Sequence, residues 1–190
     1  MNPRNTTDRY GTLSIAMHWL MLLLLVVVYA AIELREFYPK GSDPREALKH
    51  WHFMLGLSVF LLVWLRLMLR LSGPTPPIRP AVGVWQQRAA GAMHATLYLF
   101  MAGMPLLGWV VLSAKGKVIP FFGLELPALI GPDKALAGQL EDIHKTIGTV
   151  GYYLVGLHAA AALAHHYLLR DNALLRMLPG RMARGLARSP

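Results

Sequence analysis

The chain of 190 residues contains no cysteine. That absence excludes disulfides, thiolate metal sites and the C-x-x-C-H motif that fastens a c-type haem. Any haem here would have to be held without a thioether, by histidine or, more weakly, by methionine. Charge is scarce as well: 15% of the residues are charged and 55% are hydrophobic, with a mean hydropathy of +0.40. That is too apolar for an ordinary water-soluble domain of this length. Acids are scarcest, ten against nineteen Lys and Arg, and the sequence shows neither an internal repeat nor a low-complexity tract.

What the chain has instead is four apolar runs, at residues 15–32, 51–69, 89–114 and 146–169. Each approaches the roughly 20 residues that cross about 30 Å of hydrocarbon. They predict an all-α integral membrane four-helix bundle, a single membrane domain over 1–190 with transmembrane helices near 15–33, 51–70, 89–114 and 144–169. The first run is longer than a signal-peptide core, carries a histidine and precedes no small-residue cleavage site, so it is expected to remain as the first helix.

The net charge of +9 invites a nucleic-acid reading, but its distribution points to topology. The N-terminus, the segment joining the second and third runs and the C-terminal tail hold eleven cations, from Arg4 to Arg188, against two acids, Asp8 and Asp171. The other two connections hold eight cations and eight acids, which cancel. Because Lys and Arg bias sets orientation, both termini are expected in the cytoplasm and the balanced loops outside. The tail "RMARGLARSP" then meets anionic headgroups of the lipid bilayer, and no nucleic acid is expected as a partner.

Two connections have a character of their own. "SGPTPPIRP", residues 72–80, cannot continue a helix, because proline lacks the donor and fixes its torsion, and it predicts a stiff cytoplasmic link. "VIPFFGLELPALIG", residues 118–131, is apolar but too short and too broken to span, and is expected to lie on the outer interface as a cap. Pro105 is expected to kink the third helix.

The histidines can be read as depths. His144 and His158 are 14 residues apart on the fourth run. That is about 21 Å along a helix and within roughly 40° of the same face. An ionisable side chain inside a membrane is costly, and here two share a face, the arrangement that two haems stacked across a bilayer would require. Chain direction supplies partners: His52, just inside the outer start of the second helix, matches His144, and His18, just inside the cytoplasmic start of the first, matches His158. Gly56 and Gly148 each follow an outer ligand by four residues, where a missing side chain admits a porphyrin or simply lets helices pack closely. Arg66, 14 residues beyond His52, is aimed at the inner level, either as a partner for a haem propionate or as a positive-inside anchor. His94 stays open as a rival inner ligand, and His50, beside the outer interface, reads as solvated.

The stretches "IAMHWL", "RLMLRLSGPTPPI", "HATLYLFMAGMPLLGWV" and "GYYLVGLHAAAALAHHYLLRDNALLRMLP" resemble the bacterial di-haem cytochrome b561 membrane proteins, in particular the superoxide oxidase (superoxide:ubiquinone oxidoreductase) type, over nearly the whole chain. The resemblance implies two haem b groups held by His18, His52, His144 and His158, and a place in the bacterial inner membrane. It implies an oxidoreductase that passes electrons from periplasmic superoxide through two haems to ubiquinone. Arg45, Lys49 and Lys145, near the outer ligands in sequence, would attract the anion. His165 lies seven residues after His158, about 10 Å further toward the cytoplasm on almost the same face. It is the candidate for hydrogen-bonding the quinone and relaying protons, whereas His166 turns away.

Other readings use the same residues. A haem-bearing electron-transfer subunit of a dehydrogenase would need a partner protein. A histidine-lined divalent-metal transporter would purify colourless, and so would a purely structural membrane protein. The spacing is silent on whether the chain forms a homodimer.

Overall fold

The computed structural model describes residues 3–180 and 182–183. Apart from Met182 and Ala183, the basic tail expected to meet headgroups lies outside these residues. The fold class is all-α, with four helices long and apolar enough to cross a membrane, consistent with a membrane four-helix bundle. They are α1 (Thr12–Leu34), α2 (Asp43–Leu71), α3 (Val84–Ala114) and α4 (Lys134–Tyr167). Short 3-10 turns follow α1 at Arg35–Phe37 and α4 at Leu175–Met177. Large apolar side chains point outward from the helices, among them Leu23, Leu99 and Tyr153 at 59%, 74% and 75% exposure, a surface suited to lipid and costly in water.

Helix boundaries follow local chemistry. α2 opens with Pro44 and carries Asp43 and Glu46 in its first turn, where the unpaired N–H groups favour negative charge. α3 starts at a reciprocal cap: Gln86 Oε1 accepts from Gly83 N at 2.8 Å while Gly83 O accepts from Gln87 N at 3.1 Å. It runs through Pro105, which cannot donate to the carbonyl one turn back, and ends at Gly116, whose φ of +62° closes the turn with Lys117 N donating to Leu112 O at 3.0 Å. α4 begins ten residues before the expected start. Residues 134–143 are too polar for an apolar run, yet Asp133 caps them by accepting from Leu136 N at 3.0 Å.

The chain clusters into two compact units, and each helix contributes a segment to both. Unit 1 comprises the described residues of Met1–Leu20, Trp64–Leu97 and Tyr152–Pro190; unit 2 is Met21–Val63 with Tyr98–Gly151. In unit 1, Asn5 ties the start of α1, its Oδ1 accepting from Gly11 N at 2.9 Å and Ser14 Oγ at 2.8 Å. The proline link is non-helical as expected, and it is fastened to the C-terminal stretch. Asn172 exchanges two bonds with the Arg79 backbone, at 2.8 and 3.1 Å, and Arg176 donates to Pro76 O from beneath the Tyr10 ring. Trp19 Nε1 donates to Met177 O at 2.7 Å.

In unit 2, the segment expected to be an irregular interfacial cap is a β-hairpin: β1 (Ile119–Phe121) pairs antiparallel with β2 (Leu124–Leu126). Its two-residue turn uses Phe122 and Gly123, both at positive φ, the geometry that matches strand twist. Ile119, 2% exposed, enters a core with Leu57 and Leu112, flanked by Phe53, Trp109, Phe121 and Leu126. Ser113 accepts from Leu129 N at 3.0 Å and Trp109 Nε1 donates to Pro127 O at 2.9 Å, which fastens the segment after the hairpin to α3.

Candidate functional site

Each unit holds one of the expected histidine pairs. In unit 2, His52 on α2 and His144 on α4 have ring centroids 6.3 Å apart with planes at 78°. His52 Nδ1 lies 3.0 Å from Val28 O. A carbonyl only accepts, so Nδ1 carries the proton and Nε2 is left with its lone pair, the tautomer in which an oxygen behind the ring orients a metal-binding imidazole. His144 Nδ1 is buried with no hydrogen-bond partner among the described residues. Its ring rests against α3 at Gly108, where a Cβ would come within 3.2 Å of His144 Cε1. A Cβ on Gly56 would meet no described heavy atom within 4 Å, and one on Gly148 only Met104 Cε at 3.6 Å. Neither position has the sub-3.4 Å contact that would make a side chain there clash. Gly151 is the tight one: a Cβ there would fall 2.2 Å from Tyr29 Oη and 2.3 Å from Phe100 Cζ, and the same Tyr29 hydroxyl donates to Gly148 O at 2.7 Å.

In unit 1, His18 on α1 and His158 on α4 repeat the 6.3 Å separation, with planes at 70°. His94 on α3 stands 5.7 Å from His158. Arg66 reaches this group, with Nη2 3.0 Å from His18 Nδ1 and Nη1 3.5 Å from Ser14 O. Arginine only donates, so His18 Nδ1 accepts and the ring proton sits on Nε2.

These distances test whether the pairs suit a haem iron. A metal between two imidazoles at about 2.0 Å per bond, with roughly 1.1 Å from nitrogen to ring centre, needs centroids about 6.2 Å apart. Both pairs meet that span, and His94 with His158 falls short of it. The hydrogen bonding behind the ring fits outright in unit 2. In unit 1 the contact with Arg66 leaves the proton on Nε2, so ligation through that nitrogen would require Arg66 to turn from His18 to another acceptor. Among the described residues, no group of three or more His, Asp or Glu is placed to hold a metal ion.

His165 stands in unit 1 with a partner that sequence reasoning missed. Its Nδ1 lies 2.5 Å from Asp171 Oδ2, and the Asp171 side chain is 1% exposed against 22% for His165. Asp171 had figured only in the charge count. The signal available was a carboxylate six residues downstream, just past the helix end, where Arg170 at φ +53° reverses the chain and Asp171 N donates to His165 O at 3.0 Å. His166 stacks edge-on with Tyr167, its ring centroid 4.7 Å away, and His50 is exposed.

The three cations expected to attract an anion are all engaged. Arg45 is buried, 8% exposed, donating to Arg35 O and Tyr38 O at 2.9 Å and to both Glu36 oxygens at 3.0 Å. Lys49 pairs with Glu46 at 2.6 Å, and Lys145 shares Glu141 with Lys115 at 3.0 and 2.5 Å. Arg45 is thus a structural clamp on the turn after α1, and the two lysines are neutralised locally.

Residues 9–180 match the family described as prokaryotic cytochrome b561. The chain is 37% identical over 174 residues to cytochrome b561 homolog 1 of Escherichia coli K12, covering 92% of this chain and 99% of that protein. It is likewise 37% identical over 171 residues to the probable superoxide oxidase CybB of Yersinia pestis, covering 90% and 96%. It is 28% identical over 182 residues to cytochrome b561 homolog 2 of Escherichia coli K12, covering 94% and 95%.

Proposed function

Because the chain belongs to the prokaryotic cytochrome b561 family, a family of haem b proteins that transfer electrons in bacterial membranes, we propose that it is a superoxide:ubiquinone oxidoreductase of the inner membrane, working as one domain. The observation that carries the reading is one spacing found twice, 6.3 Å between imidazoles in two separate pairs. The superoxide step is supported by the name of the Yersinia pestis relative. Orientation follows the charge bias, with both termini cytoplasmic, so that His52 and His144 form the outer pair and His18 and His158 the inner.

Held by His52 with His144 and by His18 with His158, two haems would supply one-electron carriers between the two substrates. The protein's own residues do the rest. His52, held by Val28 O, presents Nε2 to the outer site, and His144 faces it across 6.3 Å. Arg66 lies beside His18 and supplies the inner site with positive charge, suited to a propionate. His165 serves the quinone with a hydrogen bond and protons. In the net reaction two superoxide anions leave as dioxygen, and one ubiquinone gains two electrons and two protons.

The test is a reduced-minus-oxidised spectrum with haem quantification on detergent-purified protein, followed by rapid mixing with superoxide and then with a short-chain ubiquinone. The reading expects two b-type haems per chain, reduction by superoxide and reoxidation by quinone. A colourless protein would return the site to metal transport. Haems that respond only in the presence of a dehydrogenase would make it a subunit.

A further inference from the structure

We propose that Asp171 and His165 form a proton-donating dyad, in which the buried carboxylate positions the imidazole and Nε2 of His165 delivers the proton to a quinone carbonyl. The proposal rests on the reading above that quinone is reduced beside His165.

Asp171 is held at both carboxylate oxygens and at its backbone N–H. Oδ2 takes His165 Nδ1 at 2.5 Å, Oδ1 accepts from Ala173 N at 2.8 Å, and its own N–H donates to His165 O at 3.0 Å. Backbone and side chain therefore grip one residue, through a reversal that Arg170 makes in the left-handed region at φ +53°, a conformation that costs a non-glycine residue roughly 1 kcal/mol. A solvent-facing surface pair would not be built this way, since it would leave both groups in water. Here the carboxylate is 1% exposed and only the imidazole keeps an exposed edge. The nearby charge is cationic. Arg176 from the 3-10 turn feels Asp171, Tyr10 and Arg70, and burial pulls its guanidinium below the usual arginine range.

The chemistry follows from the inventory of donors. An ionised carboxylate only accepts, so Nδ1 keeps its proton toward Asp171 and Nε2 is the nitrogen that exchanges. In the step, the Nε2–H bond of the imidazolium breaks and an O–H bond forms on the quinone carbonyl, while an electron that entered from superoxide arrives through the haems. Asp171 is not protonated; it fixes the tautomer and stabilises the cation, and His165 regains its proton from water. Two such transfers accompany the two electrons that complete the quinol. His165 is the catalytic residue here and Asp171 the positioning residue.

The experiment uses the full haem-loaded chain in detergent, with Asp171→Asn, His165→Gln and the double variant. Reoxidation of pre-reduced haems is followed at increasing short-chain ubiquinone in H2O and D2O, and the Nδ1 proton is sought by NMR at low field. The expected outcome is a maximal reoxidation rate lower by at least about tenfold in each single variant. Half-saturation should change little, the solvent isotope effect should be larger in Asp171→Asn, and the low-field proton should be lost. The double variant should be no slower than His165→Gln, because the two act as a unit. Because Asp171 also holds Ala173 N, His165→Gln provides the variant that leaves this contact in place. Wild-type rates in Asp171→Asn, or effects that multiply in the double, would overturn the dyad alone, whereas wild-type rates in His165→Gln would overturn the role of His165 at the quinone and the dyad with it. Wild-type haems that quinone fails to reoxidise would overturn the reading of the site and the dyad with it.

Discussion

His52 and His18 stand at the same ring distance from their partners on α4, 6.3 Å in each case, yet what lies behind each ring is opposite in character. His52 hands its Nδ1 proton to the Val28 carbonyl, whereas the Nδ1 of His18 faces the guanidinium of Arg66. The spacing is a property of helix geometry. Two ligands 14 residues apart on α4 keep one face, and two other helices each bring a ring to meet them. The chemistry is a property of the second partner: an oxygen behind an imidazole makes it the stronger electron donor to a metal, while a nearby cation favours the added electron. On the proposed reading, the same scaffold would hold two cofactors at unequal potentials, with the Arg66 site expected to be the higher.

The widest break in this comparison comes from removing ligands. Replacing His52 or His144 with alanine should abolish one haem and leave the other spectroscopically intact, and replacing His18 or His158 should do the converse. Haem content falls by about half in each case, as expected when each iron depends on its own imidazole pair. His94→Ala is the control. If it removed a haem while His18→Ala retained both, the inner pair would have to be redrawn. A smaller change should come from Arg66→Gln. Loss of the cation should lower the midpoint potential of the His18 site by several tens of millivolts, against about 59 mV per tenfold change in a one-electron equilibrium, with the His52 site unmoved. Redox titration that found both sites shifted equally would remove the distinction drawn here.

The smallest effect expected is of ionic strength. With Arg45, Lys49 and Lys145 each paired to a carboxylate, the rate of haem reduction by superoxide should change by less than about twofold between 0.01 and 0.15 M salt, although the Debye length falls from about 30 to about 8 Å. A steep decline would mean that the cations act as a field despite their partners.

These particulars show where sequence was sufficient. The apolar runs gave four helices because hydrocarbon selects on length and composition alone. The pairing of His52 with His144 and of His18 with His158 was legible because a 14-residue spacing is a statement about one rigid element. The polar first turns of α4 escaped because apolarity was the criterion, while the signal that mattered was a cap, Asp133. The hairpin was hidden by Pro120 and by Phe122 in a left-handed turn, a conformation sequence assigns to glycine before phenylalanine. Asp171 with His165, and Arg45 with Glu36, depend on a chain reversal between the partners, and their charges count the same whether paired or free.

The fastening of the proline link carries a consequence for how the chain is made. The backbone of Arg79 finds its partner in Asn172, and Pro76 O in Arg176, so the link leaves the ribosome more than ninety residues ahead of what secures it. At synthesis rates of about 5–20 residues per second, it waits several seconds or more for its mate. Throughout that interval the first two spans are in place, and the strap that leads from the second to the third has the Arg79–Asp8 ion pair at 3.7 Å to hold it, gaining its backbone fastening once the fourth span has crossed. The stretch around Asn172 therefore serves as a completion latch. A chain stalled before it would present quality-control proteases with a strap not yet fastened.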